Sequence, residues 1–126
     1  MLFDNNSAST DALAGRLAHY YPALKIEAGS LHPEGFDLIV NATPLGMNPA
    51  DPLPFDMSRV SPQTFVGEVV MNQQMTPLLQ AASAKGCPFQ MGTDMLYEQI
   101  PAYLEFFGFG SATPEDLRAV SQIKYQ

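Results

Sequence analysis

The chain is short of positive charge and of cysteine. Its 126 residues include six Lys or Arg against thirteen Asp or Glu, for a formal net charge of −7. A phosphate-backbone partner needs a basic face, so this balance argues against nucleic acid and equally against an anionic membrane surface. The single Cys87 cannot close an internal disulfide, and no charged n-region leading into an apolar core opens the chain. Both features predict a reducing, cytoplasmic setting. No apolar run approaches the roughly 18 residues that span a bilayer. Of metal-binding types there are Cys87 and two distant histidines, His19 and His32, so no metal-ligand spacing exists. Nor does any Gly-x-Gly-x-x-Gly turn occur.

What is present reads as a globular chain of alternating strands and helices. Hydrophobic residues make up 46% and charged residues 15%, well outside the disordered regime. The organising stretch is Asp37-Leu-Ile-Val-Asn-Ala-Thr-Pro-Leu-Gly-Met47. Its unbroken Leu38-Ile39-Val40 run predicts a strand buried on both faces, ending abruptly in turn-forming residues. Pro44 holds Thr43 extended, and Gly46 permits a positive φ or a close backbone approach. At the carboxyl end of a parallel strand, such a turn is where open α/β sheets bind ligands. On pattern alone, a strand followed by an ordinary Pro/Gly turn fits equally well.

Met1 to Asp4 reads as a strand end, followed by a helix capped by Thr10 or Asp11 and stopped at Pro22. Leu24 to Glu27 alternates as a brief strand. Residues 48–55 carry Pro49, Pro52 and Pro54, which predict a semi-rigid surface excursion. Thr64 to Val70 is a second buried strand. Thr76 and Pro77 open a helix that Gly86 closes. Cys87 to Met91 is a third strand, leading to a helix capped by Thr93 or Asp94, interrupted by Pro101 and stopped at Gly108. Thr113-Pro-Glu-Asp116 is a capping box for a last helix carrying Leu117, Val120 and Ile123. This alternation predicts a parallel α/β sheet with right-handed crossovers.

Three segments carry a family resemblance. Asn41-Ala-Thr-Pro-Leu-Gly-Met47 resembles the N-A-T-x-x-G-M signature of the nucleotide-binding domain of shikimate and quinate dehydrogenases. Gly67-Glu-Val-Val-Met-Asn-Gln-Gln-Met-Thr-Pro-Leu-Leu79 and Gly92-Thr-Asp-Met-Leu-Tyr-Glu-Gln99 follow in the family's order. The resemblance implies a Rossmann-like, three-layer parallel sheet lacking its first strand and glycine-rich turn. Residues 1–126 would be a partial NAD(P)-binding domain without the substrate domain, with Met1 a fragment start. In the order 3-2-1-4-5-6 the lost strand is the central one, leaving an open edge on Leu38-Ile-Val40 and an expectation of homo-oligomers.

The resemblance also implies a site. Asn41, Ala42 and Thr43 would touch the cofactor near its nicotinamide end, Val69 and Met71 would line the ring, Gly92 and Met95 would abut it, and Gln99 would contact a small hydroxy-carboxylate substrate. Asp4, at the family's ribose-binding position and with no neighbouring Arg, would favour NAD over NADP; its alternative is a plain turn or capping residue. Departures from the family pattern bear on the substrate: Met71 stands where a Tyr is common, and Gly92-Thr-Asp-Met95 replaces Gly-Leu-Gly-Met. The family's catalytic Lys and Asp have no counterpart in these 126 residues.

A different class remains open, a non-catalytic ligand-binding or interaction module on the same scaffold. Cys87 as a nucleophile is the poorest reading, because Pro88 follows it and no His lies near; a small buried hydrophobe fits better.

Overall fold

The computed structural model describes residues 1–123, in two compact units, one of Met1–His32 and one of the described residues from Pro33 onward. In the first unit, Leu2 and Ala28 form a parallel bridge, with Leu2 N–H donating to the Glu27 carbonyl at 2.8 Å and Gly29 N–H to the Leu2 carbonyl at 3.0 Å. The expected strand at Leu24–Glu27 does not form, and the bridge residue Ala28 lies just beyond it. Helix α1 spans Ser7–Tyr20. It starts a turn earlier than expected because Asn6 caps it, accepting from Ser9 N–H, while Thr10 lies inside and bonds back to the Asn6 carbonyl.

The second unit holds a three-stranded parallel sheet, β1 (Leu38–Asn41), β2 (Phe65–Glu68) and β3 (Phe89–Gln90), in the order β1-β2-β3. Leu38 pairs with Phe65 and Asn41 with Glu68, and Val66 pairs with Phe89. Helix α2 (Pro77–Lys85) follows β2, α3 (Gly92–Phe106) follows β3, and α4 (Pro114–Val120) folds back on α3. The α2 boundaries match the sequence signals: Thr76 accepts from Leu79 N–H, and Gly86 closes the helix at φ 80°. Asp116 and Thr113 form the expected capping box, although Ile123 lies beyond the helix.

Helix α3 departs from expectation at its start, where Met91 is the cap position and contributes no side-chain bond. Its end is set by Gly108 at φ 72°, with Phe109 N–H reaching the Leu104 carbonyl and Gly108 N–H the Glu105 carbonyl. That pair of bonds is a Schellman closure, which the left-handed glycine permits. Pro101 sits within the helix without ending it.

The core lies on one face of the sheet. Val66, Leu78, Leu79, Ala82 and Cys87 are buried there with Phe55, Met57 and Val60, and Ile39 and Phe89 pack against them. Phe55 and Met57 correct the expected surface excursion: the proline-rich segment stays outside, but its end plugs the core, and Lys85 Nζ holds it by donating to the Met57 and Ser58 carbonyls at 2.7 and 2.6 Å. Cys87 is a buried free thiol donating to the Ser61 carbonyl, the bland reading of that residue.

The expectation that β1 is buried on both faces is corrected. Leu38 is 56% and Val40 51% exposed, whereas Ile39 is half-buried and Asn41 is buried. Alternate residues point to opposite faces, and the core covers only the Ile39 and Asn41 side.

Candidate functional site

The carboxyl ends of β1 and β2 meet in a polar network that the sheet register creates by setting Asn41 beside Glu68. Both side chains are buried, at 2% and 4% exposure. Asn41 Nδ2 donates to Glu68 Oε1 at 2.7 Å and to the Leu45 carbonyl at 2.9 Å. Its Oδ1 accepts from Thr43 N–H at 3.1 Å and from the Thr43 hydroxyl at 2.7 Å, and Thr43 Oγ1 in turn accepts from Leu45 N–H at 3.2 Å. The Asn-Ala-Thr turn is therefore wound around one amide side chain. The Thr76 hydroxyl, at the α2 cap, donates to Glu68 Oε2. Gly46 adopts φ +99°, as its type allows, and a Cβ there would lie 3.3 Å from Glu68 Oε1.

The rest of the turn is closed from outside. Asp51 accepts from Gly46 N–H and Asn48 N–H, both at 3.0 Å, and Gln73 and Asn72 donate to the Gly46 and Met47 carbonyls at 2.9 and 2.6 Å. The Asn48 and Gly46 backbone bonds outweigh desolvation and hold the Asp51 carboxyl below its ordinary value. A depressed folded value means that Asp51's contribution is complete above the unfolded value near 3.9 and lost as pH falls through the lower folded value. The Gly46 amide chemical shift should accordingly be constant from neutral pH down to about pH 5 and move only below about pH 4. Movement near neutral pH would contradict this.

A second feature lies on the open sheet face. A groove of about 670 Å³ is lined by residues including Val40, Gly67, Val69, Met95, Glu98 and Gln99. Its size is that of a pocket for part of a cofactor. No Lys, Arg or His lines it, whereas Glu68 and Glu98 do, so it suits an uncharged or cationic ring rather than a phosphate. Val69 joins groove to turn, since its N–H donates to the Asn41 carbonyl at 3.2 Å. Gly92 brings α3 to the same place: a Cβ there would stand 2.1 Å from the Val70 carbonyl oxygen.

Of the residues singled out by sequence, Val69, Met95 and Gln99 converge on the groove. Asn41 and Thr43 are brought together in the turn, with Ala42 exposed between them. Gln99 accepts from the Tyr103 hydroxyl at 3.0 Å, and Met71 is 45% exposed outside the groove. Gly92 serves helix approach. Asp4 lies in the first unit, where its Oδ1 accepts from Asn6 N–H at 2.7 Å, a turn role. Glu68, Asp51 and Gln73 were missed. For Glu68 a signal existed: a carboxylate ending an apolar strand must find partners if buried. Among the described residues no group of three His, Cys, Asp or Glu is placed to hold a metal, and no helix is long and apolar enough to cross a membrane.

Helix α4 steadies the α3 segment bearing Met95 and Gln99. Arg118 bonds Asp94 at 3.2 Å and Glu98 at 2.8 Å and lies over the Tyr97 ring, 5.4 Å from its centroid, while Tyr97 Oη and Ser121 Oγ are 2.6 Å apart.

A parallel sheet with helices, a turn of buried polar side chains at its carboxyl end and an apolar groove beside it define a Rossmann-like nucleotide-binding architecture. No family model matches the chain. It is 43% identical over 82 residues to a shikimate dehydrogenase (NADP(+)) of a Jannaschia species, covering 64% of this chain and 30% of that protein. With the enzyme of the same name from Prochlorococcus marinus it shares 35% identity over 105 residues, 79% of this chain and 36% of the relative. Among solved structures, a quinate dehydrogenase from Corynebacterium glutamicum in complex with NAD superposes with a TM-score of 0.77 at 29% identity, over 94% of this chain and 45% of the other. By sequence and fold, the chain belongs to the shikimate/quinate dehydrogenase family of oxidoreductases. It spans about a third of the length of the curated relatives it matches. Their names favour NADP over the NAD that Asp4 suggested.

Proposed function

We propose that this chain is the nicotinamide-side portion of the NAD(P)-binding domain of a shikimate- or quinate-type dehydrogenase. The observation that carries this is the meeting of Val69, Met95 and Gln99 in one groove beside the Asn41 turn. When bound, the nicotinamide would supply hydride transfer to or from a ring carbon bearing a hydroxyl or ketone. The chain's own residues would orient and shield it. Val69 and Met95 give an apolar wall, the Asn41–Met47 turn a fixed rim, and Gln99 a polar group for the substrate.

No residue here matches the family's acid-base pair. We therefore expect the purified 126-residue chain not to oxidise shikimate or quinate with either dinucleotide. Turnover above a matched blank would refute the assignment of roles. As the finer proposal we retain NAD, because Asp4 would accept from ribose hydroxyls and repel a 2′-phosphate, and Asn5, Asn6 and Ser7 offer it no cation; the relatives' names stand on the other side. In an enzyme carrying this sequence, Asp4→Ala with Asn5→Arg should move the NADP/NAD preference by about 2 kcal/mol, roughly 30-fold. If the unaltered enzyme already prefers NADP, Asp4 is a turn residue only. We also propose self-association through β1.

A further inference from the structure

We propose that Glu68 is the positioning residue of the candidate site, holding the Asn41–Met47 turn by accepting hydrogen bonds on both carboxylate oxygens. Its functional weight rests on the cofactor reading above. The orientation of Asn41 is locked at both ends, because Thr43 N–H can only donate, to Oδ1, and the Leu45 carbonyl can only accept, from Nδ2. The amide hydrogens therefore face Glu68 Oε1. Thr76 is locked as well: its Oγ1 accepts from Leu79 N–H at 3.3 Å, so its hydrogen goes to Glu68 Oε2. Both neighbours thus present hydrogens to a side chain that is 4% exposed.

Only a group that accepts on both sides satisfies them, and an amide of the same shape brings a donor against a donor. Glu68 thereby ties β2, the turn after β1 and the first turn of α2 to one another. Gly46 of the turn is seated against the same carboxylate, which a Cβ would approach to 3.3 Å. The turn is shaped from inside the protein, ahead of any ligand, and orientation of this kind is what a positioning residue contributes.

The test is site-resolved hydrogen exchange on the 126-residue chain, Glu68→Gln, and Glu68→Gln/Thr76→Asp. The double variant moves the carboxylate one partner along: Leu79 N–H keeps an acceptor, the new amide gains one, and Asn41 still donates. Glu68→Gln should speed exchange at Thr43 and Leu45 about tenfold while Val66, bonded to the Pro88 carbonyl in the core, changes little. The double variant should recover most of that protection. Unchanged turn amides, equal acceleration at Val66, or no recovery would overturn the proposal. In the unaltered chain the Asn41 side-chain amide must itself exchange more slowly than that of exposed Asn48, whatever the variants do, and equal rates would also overturn it. Titration with NAD+ is read separately: no response in the unaltered chain defeats the cofactor reading, while the exchange data still judge Glu68.

Discussion

Gly92→Ala should destabilise the protein by about 3 kcal/mol, the upper end of the usual cost of overpacking. The added Cβ would fall 2.1 Å from the Val70 carbonyl oxygen, 2.7 Å from its carbon and 2.9 Å from the Val69 carbonyl carbon. None of these is the far end of a flexible side chain, so relief requires moving either β2's exit or the start of α3. At about 4 °C per kcal/mol for a domain of this size, the midpoint should drop by about 12 °C. Gly110→Ala is the control, since nothing lies within 4 Å of the corresponding position, and it should shift the midpoint by no more than about 2 °C. Equal midpoints for the two variants would mean that α3 does not sit against Val69 and Val70 as described. Because that approach also sets Met95 beside Val69, Gly92→Ala should disturb the groove even where the chain still folds.

The second large effect concerns the edge of the sheet. Phe65 N–H donates to the Asp37 carbonyl and Val69 N–H to the Asn41 carbonyl, so these odd-numbered residues of the β1 segment face β2. Backbone groups alternate in direction along a parallel strand, which turns those of Leu38 and Val40 toward the outer edge, and β1 is the terminal strand of its sheet. Their side chains are 56% and 51% exposed, and neither carries a charge. An edge of this kind recruits another strand, and two copies pairing β1 to β1 about a two-fold axis satisfy each other with the same groups. The 126-residue chain should be a dimer by light scattering, and Val40→Lys should weaken association at least about tenfold, or 1.4 kcal/mol, without lowering monomer stability. A unaltered chain that remains monomeric across a tenfold dilution series and unfolds cooperatively would refute this.

Much of the fold was legible because local signals agreed with one another. Thr76, Pro77 and Gly86 mark both ends of α2, and Thr113 with Asp116 marks the start of α4. The misreadings came where a distant partner decides. Leu38-Ile39-Val40 looks equally apolar at every position, and only the absence of a covering layer on the Leu38 and Val40 side separates exposed from buried. Phe55 belongs to the core because Val60, Leu78 and Leu79 gather there, which no local pattern announces. Asn6 rather than Thr10 caps α1 because both are acceptable caps and the chain takes the earlier one.

The site was legible to a different extent. The resemblance found the Asn41 turn, and the groove collects Val69, Met95 and Gln99. Glu68 escaped because its role depends on the β1–β2 register, a pairing across 27 positions of sequence. The small size of Gly92 is accounted for by backbone contact with Val70.

The measurement that bears most directly on the cofactor reading is a chemical-shift titration of the isotopically labelled chain with NAD+ up to roughly 10 mM, a range that reaches millimolar affinity. Saturable shifts centred on Asn41, Thr43, Val69, Met95 and Gln99 are expected, with the α4 residues Leu117 and Val120 unmoved. No saturable response, or one centred on α4 instead of the groove, would contradict the cofactor reading.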